Sequence, residues 1–467
     1  MKRMFFNVRG LFLYAAVLTA LYAACFVRAE DEAPAAQNMA ITLEDRDIER
    51  FHQQAERMAA GDVDVLMVGD SITHFWESTG NDVWQKFYGN RKVMNFGISG
   101  DRTGHVLWRI DHSPMDKISP KIAVVMIGTN NVGHGSSTPE QTVEGITMIV
   151  DRLKSHYPEA KILLLSVFPR GANAGDNLRV AVNKINEGLV PIYGGDRVEN
   201  VTLLDIGSLF LTPSGSLPAE LMPDFLHPSA AGYELWASAI EPYIVEALGE
   251  NPVTTQDVTH TQYEWWKERF EKNCERLKEG NIDLLMVGDS ITHFWDTTGA
   301  AVWEKYYGDK RAINMGYGGD RTEQVLWRLN NAPLENVHPK GICLLIGINN
   351  LGSGANTRET ALGIRAVVLN LRAKFPEAKI VVLKVFPWGL YAGQEKEQAP
   401  VDELNRMIPP MLLGIDQVRI VDLTEKFYDA EGKLTKEVMP DLLHPSAFGY
   451  EIWGNAMDGI VNEILAE

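Results

Sequence analysis

Residues 67–76 read Met-Val-Gly-Asp-Ser-Ile-Thr-His-Phe-Trp, and residues 286–295 repeat the same ten residues. The two copies lie 219 positions apart, from Ser71 to Ser290. This period is far longer than the roughly 20–50 residues of a solenoid repeat and has the size of a whole domain. The sequence therefore predicts two copies of one domain, fused head to tail.

Length and composition agree with this division. The chain has 467 residues, of which 45% are apolar, so each copy can bury a core of its own. The formal net charge of −18 argues against an electrostatic grip on nucleic acid or on anionic membranes. We expect no nucleic-acid partner.

The N-terminal 29 residues have the pattern of a secretory signal peptide. Basic residues in the first nine precede an apolar stretch over 11–26 that is short for a bilayer span, and Val-Arg-Ala at 27–29 suits signal cleavage. We expect cleavage after Ala29 and export to the periplasm or beyond, with no stable membrane span. An uncleaved anchor is the alternative. Cys25 follows Tyr-Ala-Ala, a poor lipoprotein box, so lipid anchoring is not expected.

The mature chain keeps only Cys274 and Cys343, which argues against a disulfide framework. Metal-binding patterns such as Cys-x-x-Cys or His-Glu-x-x-His are absent from the sequence. We therefore expect neither a metal site nor a cofactor.

Runs rich in Val, Ile and Leu alternate with helical patterns in each copy, which predicts a parallel sheet with helices on both faces. The domains are predicted at 38–248 and 258–467, with 249–257 as a linker. Strands are predicted at 63–68, 92–96, 122–127, 161–167 and 201–205, and at 282–287, 312–315, 342–346, 379–385 and 418–422. The helices given bounds are 43–58, 141–156, 230–248, 263–277 and 447–465.

Four motifs fall where sites form in such sheets, beyond the carboxyl ends of the strands. Taken singly, each has an ordinary structural explanation as a helix cap, a turn or a surface histidine. Together they supply a nucleophile, a base, a carboxylate that orients the base, and oxyanion donors. In the first copy these residues are Ser71, Gly100, Asn130, Asp224 and His227; in the second they are Ser290, Gly319, Asn349, Asp441 and His444.

The order Gly-Asp-Ser, Asn-Phe-Gly-x-x-Gly-Asp, Gly-Thr-Asn-Asn and Asp-x-x-His resembles the SGNH (GDSL-type) hydrolase superfamily. Residues 95–109 are similar to the branch that contains the catalytic subunits of platelet-activating-factor acetylhydrolase. The resemblance implies two flavodoxin-like, three-layer α/β/α domains, each with a mostly parallel five-stranded sheet, and esterase chemistry. It also implies the roles of nucleophile for the two serines, oxyanion donor for Gly100, Asn130 and their counterparts, and base with its carboxylate for the two Asp–His pairs.

The copies differ beside the oxyanion residues, where Ser99 of the first copy corresponds to Gly318 of the second and Thr129 corresponds to Ile348. We expect Asp70 and Asp289 to hydrogen-bond their own turns. The pairs Asp101–Arg102 and Asp320–Arg321 are interpreted as caps with salt bridges, with substrate contact as the alternative. His74 and His293 fit either a pocket wall or a solvated helix position. Four tryptophans are interpreted as packing residues, with pocket lining as the alternative: Trp76, Trp108, Trp295 and Trp327.

The sequence thus predicts an exported serine esterase with two active sites, acting on short-chain, acetyl-type esters of glycans or lipids. One alternative is a lysophospholipase or thioesterase, which would need a long apolar groove. Another is a single catalytic domain joined to a glycan-binding copy, and a purely structural scaffold is a third. The tandem fusion is consistent with a dimer-like pair of domains within one chain.

Overall fold

The structure is a computed structural model that describes residues 38–42, 48–195, 197–389 and 395–466. The predicted signal peptide, including Cys25, lies outside the described residues, as does the first part of the helix predicted at 43–58.

The first domain alternates strands and helices along the chain. Its elements are α1 (Ile48–Ala59), β1 (Val65–Gly69), α2 (Ser71–His74), α3 (Asn81–Tyr88), β2 (Val93–Gly97), α4 (Thr103–His112), β3 (Ile122–Met126), α5 (Thr129–Gly133), α6 (Pro139–His156), β4 (Lys161–Leu165), α7 (Asn177–Tyr193), β5 (Val201–Leu204) and α8 (Ala230–Leu248).

The second domain repeats this plan. Its elements are α9 (Glu264–Lys278), β6 (Leu284–Gly288), α10 (Ser290–His293), α11 (Ala300–Tyr307), β7 (Ala312–Gly316), α12 (Thr322–Asn331), β8 (Gly341–Leu345), α13 (Ile348–Gly352), α14 (Thr357–Lys374), β9 (Lys379–Leu383), α15 (Glu395–Met411), β10 (Val418–Val421) and α16 (Ala447–Ala466).

Each domain contains one five-stranded sheet, in the order β2-β1-β3-β4-β5 and its repeat β7-β6-β8-β9-β10. All of the strand pairs in both sheets are parallel. This is the flavodoxin-like order, which places a crevice at the carboxyl ends of the strands where the order reverses. The predicted fold class is confirmed, and the sheets are wholly rather than mostly parallel.

The predicted elements agree with the structure to within one to three residues, and the exceptions have local causes. Helix α6 begins at Pro139 because the Thr138 side chain accepts from Gln141 N at 3.2 Å and caps the first turn. Helices α7 and α15 carry Pro191 and Pro400 inside, as α8 carries Pro242, so a single proline does not end a helix in this fold.

The buried core forms between each sheet and its helices. Trp76 and Trp295 are fully buried at equivalent places, which confirms their interpretation as packing residues. Trp76 packs against Tyr233 and Trp236 of α8, with ring centroids 4.4 and 4.9 Å away. This cluster holds the helix that follows the Asp-x-x-His loop against the helical turn that follows the Gly-Asp-Ser motif.

The two domains meet through different faces, α8 of the first against α15 and the start of α14 of the second. Glu241 on α8 is fully buried and accepts from Arg91 at 2.7 Å and from Arg358 of the second domain at 3.1 Å. Glu234 on the same helix accepts from Arg406 at 3.1 Å. Among the described residues, the second domain contributes chiefly α15 and α14 to this contact rather than α16, its counterpart of α8, so the contact is head-to-tail and differs from the self-complementary contact of a two-fold dimer.

The segment predicted as a linker, 249–257, joins the domains and also packs on the second one. Thr254 is buried there; its Oγ1 donates to Glu359 O at 2.6 Å and its carbonyl accepts from Thr322 Oγ1 at 2.8 Å. In the first domain the Ala40 carbonyl accepts from Thr103 Oγ1 at 2.6 Å in the same way. Part of this segment is thus an ordered edge of the second domain rather than a free spacer.

Candidate active site

Each copy assembles a serine, a histidine and an aspartate into one hydrogen-bonded chain. In the first domain Ser71 Oγ lies 2.9 Å from His227 Nε2, and His227 Nδ1 lies 2.7 Å from Asp224 Oδ2. In the second domain the corresponding distances for Ser290, His444 and Asp441 are 2.8 and 2.7 Å. The serine and histidine are about 150 residues apart in sequence, and the parallel sheet brings them to one edge.

The serine is the first residue of a short helix that follows directly on the first strand. Asp70 precedes it as the helix cap, and its Oδ1 accepts from Ile72 N at 3.0 Å; Asp289 does the same for Ile291. The predicted role of both aspartates in bonding the turn is confirmed. Because the first amides of a helix have no acceptor within it, the Ser71 N–H is available at the head of α2.

The Asp224–His227 loop organises itself around its carboxylate. Asp224 Oδ1 accepts from His227 N at 2.7 Å and from Leu226 N at 3.1 Å, which leaves Oδ2 for the imidazole. Phe225 adopts φ 58°, a left-handed value uncommon for a bulky residue, and Leu442 repeats it at 60°. Burial raises the pKa of Asp224, but the hydrogen bonds from the backbone and ring of His227 outweigh it, so the net pKa is lowered.

The predicted oxyanion residues lie on two neighbouring loops. Asp101 N donates to Ile98 O at 3.2 Å and closes a turn in which Gly100 has φ 79°, a conformation that glycine adopts without steric cost. The Asn130 amide donates to Asp101 O at 3.0 Å, and that of Asn349 donates to Asp320 O at 2.9 Å. This bond uses one N–H of each carboxamide and fixes its plane, and Asn130 is buried.

The interpretation of Arg102 and Arg321 as cap positions is confirmed, since they stand at the N-caps of α4 and α12, but Asp101 and Asp320 form ion pairs with arginines further along the chain. Asp101 is fully buried and pairs with Arg109 on α4 at 2.8 Å, and Asp320 pairs with Arg328 on α12 at 2.8 Å. Neighbouring residues in the chain point to different sides of the loop, whereas Arg109 on α4 faces inward.

Arg109 and Arg328 are site residues that the sequence analysis missed. Arg109 Nη1 donates to Phe96 O at 2.9 Å and Nη2 to Gly69 O at 3.4 Å, so one guanidinium joins the ends of β1 and β2 to the oxyanion loop. Arg328 makes the same two kinds of contact, to Met315 O and Gly288 O. A signal was present, since the arginine recurs at the same 219-residue offset as the catalytic serine.

The carboxyls that precede the nucleophiles have unusual titration. Burial raises the pKa of Asp70 from 3.8 to about 7, with a further rise from the neighbouring Asp101 charge, and the cap hydrogen bond from Ile72 opposes it. Asp289 has the same shift, also to about 7, with burial as the first cause. In both residues Oδ2 is buried and has no hydrogen-bond partner among the described groups.

The rims of the two sites differ. In the first, His74 Nδ1 lies 3.0 Å from Ser99 Oγ, and Arg170 donates to Thr129 O at 3.2 Å. In the second, the His293 ring accepts from Gly318 N at 3.3 Å, and Trp388 occupies the place of Arg170. Both histidines are half-buried at the rim rather than solvated.

Cavities of about 460 and 340 Å³ adjoin the sites. The first is lined by Arg170, Asp224 and their loop neighbours, and the second by Trp265 and His293. A larger cavity of about 660 Å³ lies at the opposite, amino-terminal edge of the first sheet, beside Tyr157. It lies away from the triad, whereas the cavity near the first site is lined by Asp224 and the cavity near the second by His293, one turn past Ser290.

Among the described residues, no cluster of three or more His, Cys, Asp or Glu side chains could hold a metal ion. The helices in the described ranges include none with the length and apolar character needed to cross a membrane.

Comparison with known proteins identifies the family. The model of the GDSL-like Lipase/Acylhydrolase family matches twice, over 67–235 and 286–452. The alpha2 subunit of platelet-activating factor acetylhydrolase IB from Rattus norvegicus is 35% identical over 193 residues, which cover 41% of this chain and 81% of that protein. The human alpha1 subunit is 32% identical over 188 residues, 40% of this chain and 78% of that protein.

Among solved structures, a putative acylhydrolase from Bacteroides fragilis aligns with a TM-score of 0.37 at 22% identity, over 43% of this chain and 97% of that one. The two family matches together span well over half of the chain. The chain belongs to the GDSL-like lipase/acylhydrolase family and is a carboxylic ester hydrolase, which confirms the resemblance stated from its motifs.

Proposed function

We propose that this protein is an exported esterase with two working active sites, each of which removes short acyl groups, acetyl above all, from glycan or lipid esters. The observation that carries the proposal is the duplicated triad: both copies hold serine, histidine and aspartate at the same hydrogen-bond distances. A copy retained only for binding would have no need to keep that geometry.

In each site the histidine takes the serine proton as Oγ attacks the ester carbonyl. His227 is held for this by Asp224, whose carboxylate accepts from Nδ1–H and so leaves Nε2 free of a proton to face Ser71. The alcohol leaves with the proton from the histidine, and the acyl group stays on Oγ. Water then attacks the acyl-enzyme, again through the histidine, to release the acid and restore the serine.

The tetrahedral oxyanion is stabilised by donors that are in place before the reaction. The N–H groups of Ser71 and Gly100 and the second N–H of the Asn130 carboxamide supply them, as Ser290, Gly319 and Asn349 do in the second copy. Because Asn130 is buried and its plane is fixed by Asp101 O, little reorganisation is needed when the charge develops.

The preference for short acyl groups is supported by the sequence between the motifs, which carries no long apolar insertion that could roof an acyl channel. A long acyl chain needs a groove that is apolar on several sides. The similar relatives are named acetylhydrolases, which favours the same acyl class. Export is supported by the sequence of the N-terminal 29 residues alone.

The test separates the two sites. Ser71→Ala should leave the turnover of the second site, Ser290→Ala that of the first, and the double variant should fall by several orders of magnitude, toward the ~10⁶-fold loss typical of a missing triad nucleophile. Each protein is assayed on p-nitrophenyl acetate, butyrate and octanoate. We expect kcat/KM to fall along this series.

Two results would contradict the proposal. If one single variant is as inactive as the double variant, the other copy is not catalytic. If kcat/KM instead rises steadily to octanoate, the sites belong to a lysophospholipase-like or thioesterase-like enzyme with a groove for long chains.

A further inference from the structure

An exposed tryptophan stands beside the second triad. Trp265 lies in the first turn of α9 and is 45% exposed, in contrast to the fully buried Trp266 that follows it. A single exposed aromatic side chain is ordinary on a protein surface. Trp265 differs from such a residue in its position and in the loop that lies next to it. The matching position of the first copy also has no tryptophan.

Its position links it to the catalytic base. The indole of Trp265 lies parallel to the His293 ring, with centroids 6.1 Å apart and planes at 16°. Phe294 packs against both His293, at 5.8 Å, and the catalytic His444, at 4.9 Å. The exposed indole is therefore separated from the base of the second site by two rings, those of His293 and Phe294, and it lines the cavity next to His293.

The indole lies close to the oxyanion loop at Gly318. A Cβ at Gly318 would lie 3.5 Å from Cη2 of Trp265 and 3.7 Å from Nδ1 of His293. The first copy has Ser99 at this position, and its hydroxyl lies 3.0 Å from Nδ1 of His74. With glycine there, the second copy has no such hydroxyl over its histidine, and the indole covers that side.

The first copy has no counterpart of the tryptophan. When the copies are aligned on Glu49-Arg50-Phe51 and Glu268-Arg269-Phe270, the residue that matches Trp265 is Arg46. On the other flank of the site Trp388 matches Arg170. Two positions that are cationic in one copy are thus aromatic in the other, while the triads are the same.

The chemistry of the cavity fits a sugar ring better than an acyl chain. Its lining joins the indole of Trp265 to the polar side chains of Glu268, Arg269, Lys272 and His293. A pyranose presents weakly positive C–H groups on one face, which suit the negative face of an indole, and hydroxyl groups at its edge, which suit charged hydrogen-bonding partners. Burial, with Arg269 adding to it, lowers the pKa of His293 to about 4, so this ring is neutral at neutral pH.

We propose that Trp265 is the platform on which the second site seats the sugar ring of an O-acetylated glycan, which makes this site the better deacetylase for neutral sugar esters. The proposal rests on the proposed function and adds a division of substrates between the two copies. Trp265 acts on the leaving group and takes no part in proton transfer.

The experiment uses the full chain with Ser71→Ala, so that only the second site turns over. Trp265→Ala and Trp265→Phe are compared in this background on β-D-xylose tetraacetate and on ethyl acetate, which is too small to reach the indole. We expect Trp265→Ala to lower kcat/KM for the acetylated sugar about 3- to 10-fold, as for the loss of one stacked ring, with ethyl acetate unchanged and Trp265→Phe largely retained. Leu369→Ala, an exposed apolar truncation on α14, is the matched control and should change neither substrate.

Equal losses on both substrates, or no loss on the sugar ester, would overturn the proposal. If the Ser71→Ala protein turns over neither ester, the two-site function fails while the platform can still be tested. For that case saturation-transfer NMR of the acetylated sugar is recorded on the Ser71→Ala/Ser290→Ala protein, with and without Trp265→Ala. A signal that persists without the indole would overturn the platform independently of turnover.

Discussion

The two candidate active sites of this chain agree at their centres and diverge at their rims. The serine–histidine distance is 2.9 Å in one copy and 2.8 Å in the other, and the histidine–aspartate distance is 2.7 Å in both. Around this centre, Arg170 of the first copy corresponds to Trp388 of the second, and Ser99 corresponds to Gly318. The chemistry of acyl transfer depends on angles and distances that tolerate little change, whereas the rim contacts only the part of the substrate that varies.

A second contrast lies beneath the sites. Asp101 and Asp320 hold the same buried arginine, but Asp320 also accepts from Trp266 Nε1 at 2.7 Å. The residue that aligns with Trp266 in the first copy is Asp47, which has no indole to donate. The indole hydrogen bond to Asp320 is therefore a feature of the second copy, and its contribution to stability can be measured.

The largest effect is expected from removing the buried arginines. Arg109→Met should destabilise the protein by about 3–5 kcal/mol, because it leaves a fully buried carboxylate without its ion-pair partner. Arg328→Met should cost less, since Trp266 still donates to Asp320. Urea unfolding of the two variants gives the comparison, and Arg102→Met, a half-exposed neighbour, serves as the control with a change within about 0.5 kcal/mol. Equal losses at the two positions would show that the indole adds nothing.

The next largest effect tests whether the asparagines of the two centres contribute alike to catalysis. Asn130→Ala in the Ser290→Ala protein and Asn349→Ala in the Ser71→Ala protein should each lower kcat about 10²–10³-fold, the usual cost of one oxyanion donor. The control is Asn131→Ala, since Asn131 bonds both N and Oγ1 of Thr103 and should affect the melting temperature more than kcat. If kcat is unchanged in either copy, the asparagine of that copy has no part in the oxyanion hole.

The smallest effect concerns the carboxyls beside the nucleophiles. Because the pKa of Asp70 and of Asp289 is about 7 in the folded protein against an ordinary 3.8, the protonated form stabilises the fold at low pH. That stability is fully present below about pH 4 and is lost as the pH rises through about 7. Asn cannot ionise, so the Asp70→Asn and Asp289→Asn variants lack this loss. The free energy of unfolding of each variant, relative to that of the unmodified protein, should therefore rise by about 1–3 kcal/mol from pH 4 to pH 8.

Urea unfolding at the two pH values measures this gain. The two copies should respond alike, because burial is the leading cause of the shift at both positions. If the free energy of unfolding of a variant changes between pH 4 and pH 8 by the same amount as that of the unmodified protein, the raised pKa of that carboxyl is contradicted.

The sequence by itself determined the duplication and the fold class, and it predicted the ten residues of the two candidate sites. These follow from patterns that are local in the chain: buried parallel strands have a recognisable composition, and a catalytic residue must follow a strand end with a fixed type. The bounds of several helices, among them α7, α14 and α15, come from the structure alone; Pro191 and Pro400 oppose a helix locally in two of them, although α8 forms around Pro242 as predicted.

Only the tertiary structure decided which groups meet. Asp101 could have paired with the adjacent Arg102, and the choice of Arg109 depends on which face of α4 lies against the sheet. The burial of Glu241 between Arg91 and Arg358 depends on how two separately folded domains pack, which no local pattern records. The same holds for Trp265, which lies beside His293 and close to Gly318, 53 positions further along the chain. The chemical type of each residue can be read from the sequence, whereas its contact partners are set by packing between segments that are distant in the chain.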